Sequence, residues 1–184
     1  MRNECMHSAA VFIDAGYLEK IISRRYSGFR IDYSKLPYAV KDDGDEILRT
    51  YYYNCPPYQS SKPTPEERKR KSGYDRFRQV LLRLPRYEVR EGKTVKRSET
   101  EFGQKGIDTL ICVDMVKLVY SGRIDKVILI AGDHDLIPGI EAVKDAMVIT
   151  KLIFHKESVS DQLYEMCDDR MMIDDELVSI IRRE

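Results

Sequence analysis

The chain has 184 residues, room for one domain of ordinary size with at most a short appendage. Its 31 Lys and Arg are matched by 31 Asp and Glu, and 42% of its residues are hydrophobic, which excludes both a chain that is basic throughout and wholesale disorder. The four cysteines, at 5, 55, 112 and 167, form no CxxC pair, so zinc knuckles and a secreted disulfide scaffold drop out.

No apolar run is long enough to span a bilayer, and Met1 to His7 reaches strand-like sequence without an apolar leader. A cytoplasmic, reducing setting is expected. In chain order, Ala9-Ala10-Val11-Phe12-Ile13 reads as a buried strand closed by Asp14-Ala15-Gly16. A helix over 15–25 follows, with Leu18, Ile21 and Ile22 on one stripe. Residues 46–54 are rich in β-formers and stop before Pro56-Pro57. A loop from Ser60 to Pro65 gives way to a helix from Glu66, ended by Pro85, with Tyr74, Phe77, Leu81 and Leu84 at helical spacing.

Tyr87-Glu88-Val89-Arg90 alternates as a strand does, Glu91-Gly92-Lys93 reads as a turn, and the polar stretch 94–100 has no assignable structure. The clearest helix covers 107–120. It is followed by an apolar strand, Val127 to Ala131, a helix from Ile137 to Met147, a last buried strand from Val148 to Phe154, and an acidic helical segment from about 158 to 184. Its apolar residues, among them Met171, Met172, Ile173, Leu177, Val178, Ile180 and Ile181, pack either on this domain or on a second copy. Strands alternating with helices imply βαβ crossovers and one domain over 1–184, a three-layer α/β/α sandwich around a mostly parallel, Rossmann-like sheet.

Charge is uneven within that plan. Residues 62–97 hold 13 Lys and Arg against 5 Asp and Glu, and the rest of the chain carries the opposite balance. A basic loop and helix over about 55–104 is either a solvated face or a flank for a polyanion, since phosphate contacts need local cations and not a cationic whole.

Two apolar strands end in carboxylates: Asp14 after the first, Asp133 and Asp135 after the strand 127–131. Ligands of open parallel sheets bind beyond the carboxyl ends of the strands. If those strands are neighbours, three carboxylates meet there, and Asp108 at the start of the 107–120 helix is a fourth candidate. Two bare carboxylates about 4 Å apart repel by roughly 4 kcal/mol at an effective dielectric of 20. Such a cluster holds protons or a cation, and oxygen-only ligands suit Mg²⁺ or Mn²⁺. Singly, each aspartate has a plainer role: Asp108 caps its helix and Asp133 belongs to a turn. Asp114 stands about 120° around the helix from Asp108 and is expected to cap, pair or support from behind.

Three segments carry a resemblance. Val11-Phe12-Ile13-Asp14-Ala15-Gly16-Tyr17-Leu18, the stretch from Lys105 through Asp108 and Asp114 to Met115, and the stretch from Ile128 through Gly132-Asp133-His134-Asp135 to Pro138 resemble, in order, the fIDgxNl, KGvDvalavDm and liSGDsDFvPli segments of the NYN domain family of PIN-like nucleases. The resemblance covers about 9–154; the stretch 55–104 matches no motif. It implies a PIN-like α/β/α sandwich and Mg²⁺- or Mn²⁺-dependent phosphodiester hydrolysis, usually in RNA. It places Asp14, Asp108, Asp133 and Asp135 on the acidic metal and catalytic positions, and Asp114 on a recurrent acidic one.

Tyr17 stands where Asn is frequent, His134 where a small residue is common, Ala131 in place of Ser and Leu136 in place of Phe. His134 either approaches substrate or faces solvent.

The function expected is a metal-dependent endoribonuclease acting on single-stranded RNA, with single-stranded DNA open as a substrate. Water activated by the ion attacks phosphorus in line and leaves 5′-phosphate and 3′-hydroxyl ends. Lys62, Arg68, Lys69, Arg70, Lys71, Arg76 and Arg78 are candidates to track the strand by charge, Lys105 to neutralise a phosphate, and Tyr58 to stack a base or pack under its loop. The alternative is a non-catalytic RNA- or protein-binding module on the same fold; Tyr17 is its one hint. A homodimer or partner protein stays open. No GxxxxGK[ST] loop or GxGxxG turn is present, and residue 16 is Gly where a DxD phosphatase motif would need Asp.

Overall fold

The computed structural model describes residues 6–96 and 102–183; Cys5 and the start of the chain lie outside them. Strand β1 (Ser8–Asp14) leads into helix α1 (Ala15–Arg25), followed by α2 (Leu36–Val40), β2 (Glu46–Asn54), α3 (Pro65–Leu82) and β3 (Tyr87–Glu91). A hairpin of β4 (Lys93–Lys96) and β5 (Phe102–Lys105) precedes α4 (Ile107–Tyr120) and β6 (Lys126–Ile130). Then come a single 3₁₀ turn (His134–Leu136), α5 (Ile137–Asp145), β7 (Ile149–Phe154), α6 (Asp161–Met166), β8 (Asp169–Met172) and α7 (Asp175–Ile181).

The main sheet runs in the order β3-β2-β1-β6-β7-β8 with every pairing parallel; β4 and β5 pair antiparallel apart from it. The order reverses between β1 and β6, so the two carboxylate-ended strands are neighbours at the switch point of a doubly wound sheet. Period-two alternation explains the layers. Val11, Ile13, Ile128, Ile130 and Ile153 enter one core with Leu18 and Ile21 of α1 and Leu177 and Ile181 of α7. Ala10, Phe12, Val127, Leu129 and Leu152 enter the other, against Ile111 and Met115 of α4 and Ile140 of α5. Both faces are covered, which is why these strands read as continuous apolar runs.

The structure departs from expectation in three places. Helix α2 is an added element, five residues long and too short to show a periodic stripe. Residues 93–96 are strand, leaving Gly92 alone between β3 and β4. The C-terminal segment is not purely helical, because β8 adds an edge strand between α6 and α7. Ile173, Leu177, Val178 and Ile181 pack in cis in the α1-side core, while Met172 and Ile180 stay exposed.

At the amino end of the sheet, the Lys126 ammonium lies 2.7 Å from Asp42 and 3.0 Å from Asp45, and Lys151 reaches Asp42 at 2.5 Å. Two nearly buried lysines are thus neutralised by two aspartates. At the carboxyl end the balance is different.

Candidate active site

Asp14 is both the last residue of β1 and the N-cap of α1. Its Oδ1 accepts the Tyr17 backbone N–H at 3.1 Å, which fixes the carboxylate at the lip of the sheet. Asp108 comes from the other core face. Gly106 holds φ at +86° as the residue before α4, a conformation that sets Asp108 in the helix's first turn. Asp133 follows β6 and caps the 3₁₀ turn, its Oδ1 accepting the Asp135 N–H at 3.2 Å.

Asp14, Asp108, Asp133 and His134 line one open cleft of about 670 Å³ with Gly16, Tyr17, Lys20, Gln104, Gly132, Glu157, Ser158 and Ser160. Asp135 stands at its rim: one ligand atom each from Asp133, His134 and Asp135 lies within 4.8 Å of the others.

The electrostatics follow from that convergence. Burial, then the charges of Asp108 and Asp133, push the Asp14 carboxyl up to about 6, against the pull of the Tyr17 and Gly16 N–H groups. Asp108 is also raised, by burial and by the charges of Asp133 and Asp135. Among the described residues no Lys or Arg forms an ion pair with any of the four aspartates. The His134 ring stands beside two of them, its Nδ1 3.1 Å from Asp133 and its Nε2 3.1 Å from Asp135, and Lys20 lines the same cleft without pairing with any of the four. Asp14 and Asp108 held up by burial and by neighbouring negative charge, with no lysine or arginine paired to the cluster among the described residues, fit a hard divalent cation held by oxygen ligands with an imidazole beside them.

The other expected residues separate. Asp114 is not brought to the cleft: it lies under β2, where Arg90 Nε is 3.1 Å away and the Tyr53 hydroxyl donates to it at 3.1 Å. It takes the pairing role because its turn of α4 faces the Tyr51–Tyr53 side of the sheet and not its upper edge. The Tyr17 hydroxyl accepts the His155 N–H at 2.8 Å, and burial pushes its pKa up to about 12. Its ring explains Gly132. A Cβ there would stand 2.4 Å from the Tyr17 ring and 2.2 Å from the Ser158 carbonyl oxygen, so only glycine fits.

Of the basic residues, Arg68 is bound to the Pro63 carbonyl, Lys71 pairs with Asp75, and Arg78 pairs with Glu91 at 3.2 Å. Lys62, Lys69, Arg70 and Arg76 make no ion pair among the described residues, and Lys105 is exposed at the end of β5. Tyr58 packs against Phe102, with ring centroids 5.2 Å apart.

Lys20, Gln104, Ser158 and Ser160 join the cleft without having been singled out by the sequence patterns. Lys20 is one turn beyond Tyr17 on α1, and the two serines follow β7, whose carboxyl end opens on the same crevice. Helical spacing and the strand-end rule carried the signal for these three; Gln104 is placed by the hairpin and has no comparable sequence signal.

A doubly wound parallel sheet with acidic residues lining the crevice at its switch point is the architecture of an α/β protein that binds its ligand beyond the carboxyl ends of its strands. The chain belongs to the NYN domain family of PIN-like nucleases, whose family model matches residues 8–174. Membership points to a nuclease-like, RNA-related function. In the solved structures, a Vibrio parahaemolyticus protein of unknown function is similar in fold, with a TM-score of 0.68 at 19% identity over 96% of this chain and 98% of that one. No curated protein matches the chain. Among the described residues no helix is long and apolar enough to cross a membrane.

Proposed function

We propose that this chain is a divalent-metal-dependent endoribonuclease acting on single-stranded RNA. The observation that carries this reading is that Asp14, Asp108 and Asp133 line one cleft at the switch point, with Asp135 at its rim, and that no lysine or arginine is paired to them among the described residues. These four residues would hold Mg²⁺ or Mn²⁺, which when bound would supply charge stabilisation at the phosphodiester and lower the pKa of an attacking water.

The chain's own groups do the rest. Backbone N–H donors to Asp14 and Asp133 fix both carboxylates before any ligand arrives, so little reorganisation is needed on binding. Lys20 brings positive charge to the cleft wall where the phosphate backbone would pass. Lys62, Lys69, Arg70 and Arg76 extend that attraction along the loop and α3. Those charges are sequence-blind, which suits single strands of varied sequence.

Incubation with a labelled single-stranded RNA and Mn²⁺ is expected to give products with 5′-phosphates, and none with EDTA or with Asp133→Asn. Binding without product under every metal condition would instead favour a binding module. Release of phosphate from a nucleoside monophosphate, with RNA intact, would favour a phosphatase.

A further inference from the structure

The β4–β5 hairpin carries a feature that its own stability does not explain. Its register sets Lys93 directly opposite Lys105. Like charges facing each other across an antiparallel pair are destabilising. The next pairs are Thr94 with Gln104, Val95 with Gly103 and Lys96 with Phe102. Alternation therefore puts Thr94, Lys96, Phe102 and Gln104 on one face of the ribbon.

That face looks on the cleft: Gln104 lines it, and its Oε1 lies 3.1 Å from where a Cβ on Gly16 would stand. It is held there, since the Thr94 hydroxyl donates to the Pro56 carbonyl at 2.6 Å and the Gln104 amide donates to Asn54 at 3.4 Å.

Phe102 is two residues from Gln104, about 7 Å along the strand and away from the carboxylates. It remains 43% exposed even though the Tyr58 ring is tilted against it at 38°. An aromatic pair left open to solvent, flanked by cations, next to a phosphate-handling cleft, has the chemistry of a base-stacking platform.

We infer that Phe102, backed by Tyr58, stacks an unpaired base of the nucleotide next to the cleaved bond, while Lys96 on the same face holds its backbone and Lys93 and Lys105, on the ribbon's other face, add to the positive field that draws the strand in. The inference rests on the nuclease reading and narrows it: a base inside a duplex cannot reach the ring, so the platform selects single strands.

The test uses the full chain with Asp133→Asn in EDTA, and short single-stranded RNAs carrying 2-aminopurine at successive positions. Quenching at one position is expected, lost with Phe102→Ala together with roughly tenfold weaker binding, and restored by Phe102→Trp. Lys93→Glu is expected to weaken binding and flatten its salt dependence while leaving the melting temperature unchanged or higher, because it turns a repulsive cross-strand pair into an attractive one. Unchanged single-strand binding by Phe102→Ala, or equal loss on single-stranded and duplex RNA, overturns the platform. Absence of cleavage by the wild-type chain with Mn²⁺ overturns the nuclease reading instead, and the quenching still decides whether Phe102 stacks a base.

Discussion

Replacing Asp14 by Asn is expected to stabilise the metal-free protein while ending its activity. The folded carboxyl titrates at about 6 where the ordinary value is 3.8. At about 1.4 kcal/mol per unit, the ionised group opposes folding by at most roughly 3 kcal/mol. Asp14 is only partly buried, so solvent screening brings this to about 1–2 kcal/mol.

Since the folded-state value lies above the unfolded one, the folded chain holds the proton more tightly. This group therefore opposes folding little near pH 4, and stability falls as pH rises towards 6 and levels off above it. Asn is isosteric and keeps an oxygen for the Tyr17 N–H. In EDTA at pH 8, Asp14→Asn should raise the melting temperature by about 3–6 °C for a chain of this size, and the gain should shrink towards pH 4. Saturating Mn²⁺ should reverse the ranking, because mass action adds about 2.7 kcal/mol at a hundredfold excess over Kd only where the ion binds. Thermal melts across pH, with EDTA or Mn²⁺, read all of this. A lower melting temperature for the variant in EDTA at pH 8, or a gain that is the same at pH 4, would refute the charge argument.

At the opposite edge the logic inverts: Lys126→Met removes the partner of Asp45 and half that of Asp42, and should destabilise by about 3–5 kcal/mol in urea unfolding. Gly132→Ala drives a methyl into the Tyr17 ring and the Ser158 carbonyl; overpacking of this kind should lower stability by about 1–3 kcal/mol in the same assay. Phe12→Ala, fully buried beside Tyr51 and Tyr53, should lose about 3–5 kcal/mol with no direct effect on metal affinity measured calorimetrically. Asp108→Asn should weaken Mn²⁺ binding by calorimetry and abolish cleavage, whereas Asp114→Asn should leave Mn²⁺ affinity unchanged because it is held by Arg90 and Tyr53 away from the cleft.

What the sequence disclosed follows from burial. β1 and β6 were readable almost to the residue because both sheet faces are covered, and an uninterrupted apolar run bounded by polar turns fits little besides a strand buried on both sides; β2 showed itself by its β-formers and α4 by apolar residues at helical spacing. β8 was not, since an edge strand buries little: Asp169 and Arg170 are exposed, and backbone pairing with β7 defines it. The polar hairpin escaped for the same reason.

At the site, carboxylates at strand ends could be anticipated from topology. Gln104 could not, because it reaches the cleft through a hairpin packed across the loop at 56–58, a relation no local pattern records. Asp114 has a motif's spacing, yet its helix phase turns it towards β2.

Tyr17 ties three separate parts of the chain together: its backbone caps onto Asp14, its ring rests on Gly132, and its hydroxyl receives the His155 N–H. Substituting the asparagine frequent at that position would be no simple reversion. The shorter side chain would strand the His155 amide and open a gap over Gly132, so change here has to travel as a set, with the β7 loop rebuilt in concert.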